Sequence, residues 1–326
     1  MKIRKLGRLG LIFIPIALFF VGFLSLWFWI KYTGEDPYSM GGTLVIEPGD
    51  SVVEIAKRLH ESGLIQSPTV FKTGLSLEGL GQKMRAGEFR FGEGWSSRQV
   101  AYHIASGKTV HRRLTIPEGL TKFMVIKLVN SAEGLSGKVK IEEFAEGSLF
   151  PDTYFYEWGE RRLMVMERMK QRMDAVVQEI WSTRKNGLSL RSPSELVVLA
   201  SIIEKEARQR EERARISAVF NNRLKINMKL QADPTVIYAL TQGRKPFGRK
   251  LFRQDLRFQS PFNTYLRLGL PPAPIASPGK ASLLAAAQPS ESSDLYFVSD
   301  GKGGHLFAAT LSEHNKNVEF WRKSQR

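Results

Sequence analysis

Two glutamates close an apolar run in the segment SELVVLASIIEKEA, residues 194 to 207, and they are well placed to move a proton. Pro193 and Ser194 predict a helix start, with Ser194 as the cap. The absence of a breaker predicts a largely buried helix continuing to about Arg210. Glu206 lies seven residues after Leu199, four after Ile202 and three after Ile203, so helical spacing puts it on their face. Glu204 falls on the other side, beside Val197, Ala200 and Ser201. A carboxylate at the end of an apolar stripe loses solvation when it ionises, which raises its pKa and lets it hold a proton near neutral pH. A general acid needs that property. The alternative is that Glu206 pairs with Arg208, Arg210 or Arg213, and Glu204 stays the second candidate for the acid.

Cleavage of a glycosidic bond is a reaction such a carboxyl can serve. A hydrolase would add a second carboxylate about 5–10 Å away, and Asp233 in QADPT is the candidate. Its other reading is a turn and cap before Pro234 and the helix of TVIYAL. His305 and His314 are not at metal-ligand spacing, and GEGW and GKGG lack the strand, glycine fingerprint and helix of a phosphate cradle. No metal or cofactor is called for.

The elements that position these groups fall into two parts, an α+β pattern throughout. Thr43 to Ile46 reads as a strand, and Ser51 and Glu54 have capping-box spacing ahead of the stripe Val52, Ile55, Ala56 and Leu59, with Gly63 at the helix end. A second helix starts at Ser67-Pro68, GEFRF alternates as a strand with Phe89 and Phe91 on one face, Ser97 to Ser106 is a helix ended by Gly107, and Arg112 to Ile116 is another strand. Residues 40–117 thus form a small α+β module, joined by a linker, 31–39, to what precedes it. The pattern resembles a LysM-like glycan-binding module; a plain spacer is the alternative. Residues 118–326 are longer and helix-rich, with helices at Thr121 to Asn130 and Arg161 to Ser182, and a last third dense in Pro, Gly, Asn and Ser that favours ordered, site-bearing loops.

Ahead of both parts, Leu9 to Ile30 is an uncharged run that spans about 33 Å as a helix, enough for a bilayer core. Trp27 and Trp29 at its end suit an interfacial belt, and no small-residue cleavage site follows, which favours a retained transmembrane helix over a cleaved signal peptide. Lys2, Arg4, Lys5 and Arg8, in a basic tail over 1–8, keep the N-terminus cytoplasmic and place everything after about Lys31 outside the cytoplasmic membrane.

The motifs ASIIEKEA, VFNNRL, LQADPTVIYAL, SPFNTY, GLPPAPIASPG, LYFVSDGKGGHLF and EHN follow one another at compact spacing, preceded by EGSLFPDTY and the apolar helix. Together they resemble the endolytic murein transglycosylases of the YceG-like family over nearly the whole chain. The resemblance implies lytic cleavage of the β-1,4 bond between N-acetylmuramic acid and N-acetylglucosamine inside a glycan strand, leaving a 1,6-anhydro end. It also implies that the second glutamate of EKE, Glu206, is the acid and base, and that peptidoglycan synthases work beside it. Lytic transglycosylases often carry a hydroxyl residue after this glutamate. Ala207 stands there, so a hydroxyl is absent or comes from Ser201 or Thr235.

An oxocarbenium-like transition state between N-acetyl sugars calls for amides, hydroxyls and aromatic platforms. Gln231, Asn222, Asn263, Thr264, Tyr265 and Tyr154 have suitable chemistry. For Asn222 and Asn263 the alternative is to lock loop backbone. Arg223 could orient Glu206, bind a peptide carboxylate or form a structural ion pair. The net charge of +16 raises nucleic acid as a partner, but an exported chain meets none. Anionic membrane lipid and cell-wall peptide carboxylates suit that charge instead. Zero cysteines exclude disulfides, a thiol nucleophile and a lipidated Cys. Two readings stand beside the lyase: a muramidase-type hydrolase using Glu206 with Asp233, and a non-catalytic wall-binding anchor.

Overall fold

Local signals in the N-terminal part become helix ends and strand registers in the computed structural model, which describes residues 4–207 and 209–324. Helix α1 (Arg4–Thr33) includes an apolar span, Ile14–Thr33, of mean hydropathy 1.9 whose side chains are almost all exposed. Lys2 lies outside the described residues, as do the side chains of Arg4, Lys5 and Arg8. Strand β1 (Gly42–Ile46) pairs antiparallel with β2 (Gly87–Phe91), Leu44 facing Phe89. Between them, α2 (Val52–Glu61) opens on a complete Ser51–Glu54 capping box, and α3 (Pro68–Leu77) has Pro68 in its first turn under the Ser67 cap. Helix α4 (Ser97–Ser106) ends on Gly107 in the left-handed region. Ile55, Leu59, Phe71, Leu75, Phe89, Val100 and Ile104 bury together as the core. Tyr32, at the end of α1, joins this unit: it is fully buried, and its hydroxyl donates to Glu78 Oε2 at 3.0 Å.

The chain divides into two compact units, one running to Arg112 and including Tyr156–Glu160, the other formed by Arg113–Phe155 and the chain from Arg161 onward. Strands β3 (Arg112–Thr115) and β4 (Thr153–Tyr156) make a second two-stranded sheet. The second unit carries α5 (Lys122–Ser131), α6 (Arg162–Ser182), α7 (Pro193–Glu206), α8 (Arg213–Lys225), α9 (Asp233–Thr241) and α10 (Lys280–Ala287). It closes with the antiparallel hairpin β5 (Tyr296–Ser299) and β6 (His305–Ala308), followed by α11 (Leu311–Ser324). The architecture is mixed α+β with one N-terminal apolar helix.

Helix α7 is the axis of the second core. Leu196 and all residues from Val198 to Ile203 are buried, so the helix is enclosed on every side and not along one stripe only. Helices α6, α8, α9 and α10 pack on it, and Ala285, Ala286 and Ala287 of α10 are small enough to admit close approach. Two expectations need correction. The cap is Ser192, whose Oγ accepts from Glu195 N, while Pro193 takes the first helical position and displaces Ser194 from the capping role. The helix also stops at Glu206, four residues before Arg210, because Ala207 turns to extended backbone at φ −78° and ψ 112°.

Candidate active site

That early stop sets the position of Glu206. As the last residue of α7 it leaves the packed helix and reaches a surface pocket of about 250 Å³ shared with Arg223, Gln231, Asp233, Tyr265 and His305. Leu230, Phe297, Val298 and Ser299 complete the lining. The residue is half-buried, one part facing the pocket and the rest enclosed by protein. Burial raises its carboxyl to about 8, the Asp233 carboxylate pushes the same way, and the Arg223 guanidinium opposes both. The carbonyl end of a helix, with its partial negative charge, likewise disfavours an anion there. Among the described residues Glu206 forms no ion pair with Arg210 or Arg213; Arg208 lies outside them.

Arg223 sits on α8 and is nearly buried. Its Nε donates to Leu295 O at 2.6 Å and its Nη1 to Leu230 O at 2.8 Å, so backbone carbonyls fix the guanidinium at the pocket wall. The ring of Tyr296 lies 5.4 Å below it. With both carbonyls served, the side chain acts on Glu206 through its charge.

Asp233 and Tyr265 arrive on two interlocked segments. Tyr265 Oη donates to Asp233 Oδ1 at 2.6 Å, and burial with that bond raises the Tyr265 phenol. Behind them Thr264 Oγ1 accepts from Ala232 N at 3.0 Å and lies 2.8 Å from Thr235 Oγ1, while Gln231 N donates to Thr264 O at 3.2 Å. Asn263, fully buried, donates its Nδ2 to the carbonyls of Leu256 and Phe258 and accepts from Tyr265 N. QADPT and SPFNTY therefore form one rigid unit. Gln231 holds φ +50°, a left-handed conformation that few side chains adopt, at the lip of the pocket. Asp233 is the first residue of α9, after the Ala232 cap, and its carboxylate serves Tyr265 and not the helix end.

The remaining candidates are held elsewhere. Asn222 donates to Ser292 O and Asp294 O, locking a loop as its alternative reading had it. Asn263, Thr264 and Thr235 brace the turn as described, without lining the pocket. Glu204 accepts from Gly279 N and pairs with Arg213 at 3.3 Å, and Tyr154 donates its hydroxyl to Phe150 O. Ser201 bridges Val198 O and Ile275 N inside the core. The pocket hydroxyl other than Tyr265 is Ser299, which spacing did not single out. His305 was also missed as a pocket residue: its backbone N and Nδ1 both engage Glu212 at 2.8 Å, and Phe297 packs edge-on at 5.2 Å. The signal was present in LYFVSDGKGGHLF, whose glycine turn makes a hairpin, but nothing local says that the hairpin packs on α8 and reaches the pocket of Glu206. Among the described residues no group of three or more His, Asp and Glu side chains is arranged to hold a metal.

Comparison with known proteins shows the family. The model of the YceG-like family matches residues 44–320. The endolytic murein transglycosylase of Bacillus subtilis is 31% identical over 306 residues, covering 84% of this chain and 83% of its own length. Its namesake from Streptococcus pneumoniae is 28% identical over 322 residues, covering 85% of this chain, which spans only 57% of that longer protein. A crystal structure of a YceG-like protein from Listeria monocytogenes superposes with a TM-score of 0.52 at 28% identity, covering 85% of this chain and 99% of that one. With the matched region running through both compact units and every motif around Glu206, the chain belongs to the YceG-like family.

Proposed function

We propose that this chain is a membrane-anchored endolytic transglycosylase that cuts peptidoglycan strands at the bond between N-acetylmuramic acid and N-acetylglucosamine. One observation carries the reading: a carboxyl raised to about 8 stands in the wall of an open polar pocket. The activity named for the Bacillus subtilis and Streptococcus pneumoniae relatives supports it. Protonated Glu206 donates to the glycosidic oxygen as the bond to the anomeric carbon breaks, and the new terminal hydroxyl leaves with that proton. The resulting carboxylate then takes the proton of the muramoyl 6-hydroxyl, whose oxygen closes on the anomeric carbon. One titrating group is restored, no water is consumed, and the product is a 1,6-anhydro end. The charge of Asp233, steadied by Tyr265, favours positive charge developing at the anomeric carbon.

The pocket is smaller than the usual small-molecule range of about 300–1,000 Å³. It suits one sugar subsite on a surface that lets a long strand lie across it, as cleavage within a strand requires. In this reading residues 1–8 are a cytoplasmic tail, 9–30 the transmembrane helix, 31–39 a linker, 40–117 a LysM-like module contacting glycan and 118–326 the catalytic domain. The β1-α2-α3-β2 order supports the module, and the exposed apolar span of α1 supports the anchor. The catalytic part would then work outside the cytoplasmic membrane, next to lipid and to the synthases that extrude new strands.

Mass spectrometry of fragments released from purified peptidoglycan tests the assignment. Wild type should yield anhydro ends, and Glu206→Gln should lose at least about 100-fold in rate. Undiminished anhydro product from that variant sinks it. Because Asp233 lines the same pocket, a two-carboxylate hydrolase has a specific observation in its favour. Oxygen from labelled water entering the new end, with equal loss in Asp233→Asn, would establish that chemistry instead.

A further inference from the structure

A second cavity, of about 340 Å³, lies one residue away from the first on two elements. Lys205 borders it where its neighbour Glu206 borders the catalytic pocket, and Pro234 borders it where Asp233 does. The C-terminus of α7 and the N-terminus of α9 thus form the partition between the two. The walls are of another kind from the polar catalytic pocket: Met124, Ile237, Tyr238, Phe247 and Ile275 give methyl groups and ring faces. Lys205 and Lys245 stand at the rim, both exposed. Lys205 Nζ donates to Gly119 O at 3.2 Å, and Lys245 has no acidic partner among the described residues. At the floor, Tyr238 is fixed by donating to Glu146 Oε2 at 3.1 Å. Gly243, at φ +67°, keeps the space open, since a Cβ there would press on Thr121 and Tyr238 at 3.0 Å.

We propose that this cavity takes the short acidic peptide carried by the muramoyl sugar, and so lets the enzyme favour peptide-bearing over stripped strands. The proposal rests on the glycan-cleaving reading of the neighbouring pocket. An apolar hollow with methyl-sized contacts suits alanyl side chains, and two ammonium groups at its edge suit the peptide's free carboxylates. The one-residue partition matters as well, because the peptide is attached to the same sugar whose anomeric carbon must sit at Glu206. A stripped strand keeps only the lactyl methyl and carboxylate close to the sugar ring and lacks the peptide's further carboxylates and alanyl methyl groups, and an acyl lipid chain would leave the lysines without a counter-charge.

The test has two arms, both with the full chain in detergent micelles. In the first, a fluorescein-labelled alanyl-γ-glutamyl-lysyl-alanyl-alanine peptide is titrated by anisotropy into Glu206→Gln, where catalysis cannot intervene. Binding should appear, and it should weaken at least about fivefold when Lys245→Glu reverses one rim charge. Ile237→Trp, which fills the hollow without touching charge, should weaken it too. Absence of peptide binding, or binding indifferent to both changes, overturns the proposal. In the second arm, kcat/KM is compared for peptide-bearing strands and strands stripped by an amidase. Wild type should favour the former, and in Lys245→Glu the ratio should fall toward one, through KM and not kcat. Equal rates on both strands in wild type overturn it as well. If wild type releases no strand fragments at all, whether with anhydro or with hydrolysed ends, the glycan-cleaving reading fails by itself, while the peptide titration still decides whether the cavity is a peptide site.

Discussion

Glu206 combines two demands that oppose each other in most surface carboxylates. For the proposed reaction it must be enclosed enough to keep its proton and open enough to meet a substrate, and the end of a buried helix satisfies both. The sign of its pH dependence follows. A carboxyl raised to about 8 stays protonated and able to donate below that value, and loses its proton as pH climbs through it. The kcat/KM profile should therefore hold toward neutrality and fall above about pH 8. Asp233→Asn removes the charge that helps raise Glu206, so the falling limb should move to lower pH in that variant. A limb that stays in place, measured on the same strands, would mean that the two carboxyls do not sense each other. Helical spacing put Glu206 on the face of Leu199, Ile202 and Ile203, but the early end of α7 that brings it to the pocket was not legible in the sequence. Arg223, although weighed for a role toward Glu206, shows its place only in three dimensions, where carbonyls from Leu230 and Leu295 hold it.

At the scale of elements, the polar residues of the loops mostly support other loops. Asn222, Asn263, Thr235 and Thr264 have the chemistry of sugar ligands, yet each spends its hydrogen bonds on backbone or on another brace. Sequence shows the donor but not its acceptor, which here lies up to 72 residues away. Capping boxes, Pro starts and glycine stops were legible because they act within four residues, and so the small N-terminal unit was read nearly element by element. Helices α8 and α10 and the β5–β6 hairpin were not, since the two helices depend on packing against α7 and each other, and the hairpin on packing against α8 and α11. Asn263→Ala should expose the interlock: buried carbonyls of Leu256 and Phe258 would lose their donor, at a cost of about 1–3 kcal/mol in thermal or urea unfolding. Tyr265 would lose its brace, and cleavage should slow even at temperatures where the fold persists. Unaltered stability would show that the loop holds its shape by other means.

For the whole molecule, the boundary between the exposed apolar helix and the folded part is set by Tyr32. Its ring is fully buried, and a methyl group at Gly74 of α3 would collide with it. Two shortened chains separate anchoring from folding. One beginning at Lys31 and one beginning at Gly34 should both leave the membrane fraction that holds the full chain. Only the second should lose stability in its N-terminal unit, by about 3–5 kcal/mol for a missing buried aromatic. Equal melting of the two would mean that Tyr32 contributes nothing to the unit.

The same ring contact removes the swivel that a loose tether would provide. With its last turn clamped between α3 and Glu78, the apolar helix cannot spin without carrying the β1–β2 unit along. In a chain anchored as proposed, the β1–β2 unit would then turn and drift together with that helix in the plane of the lipid.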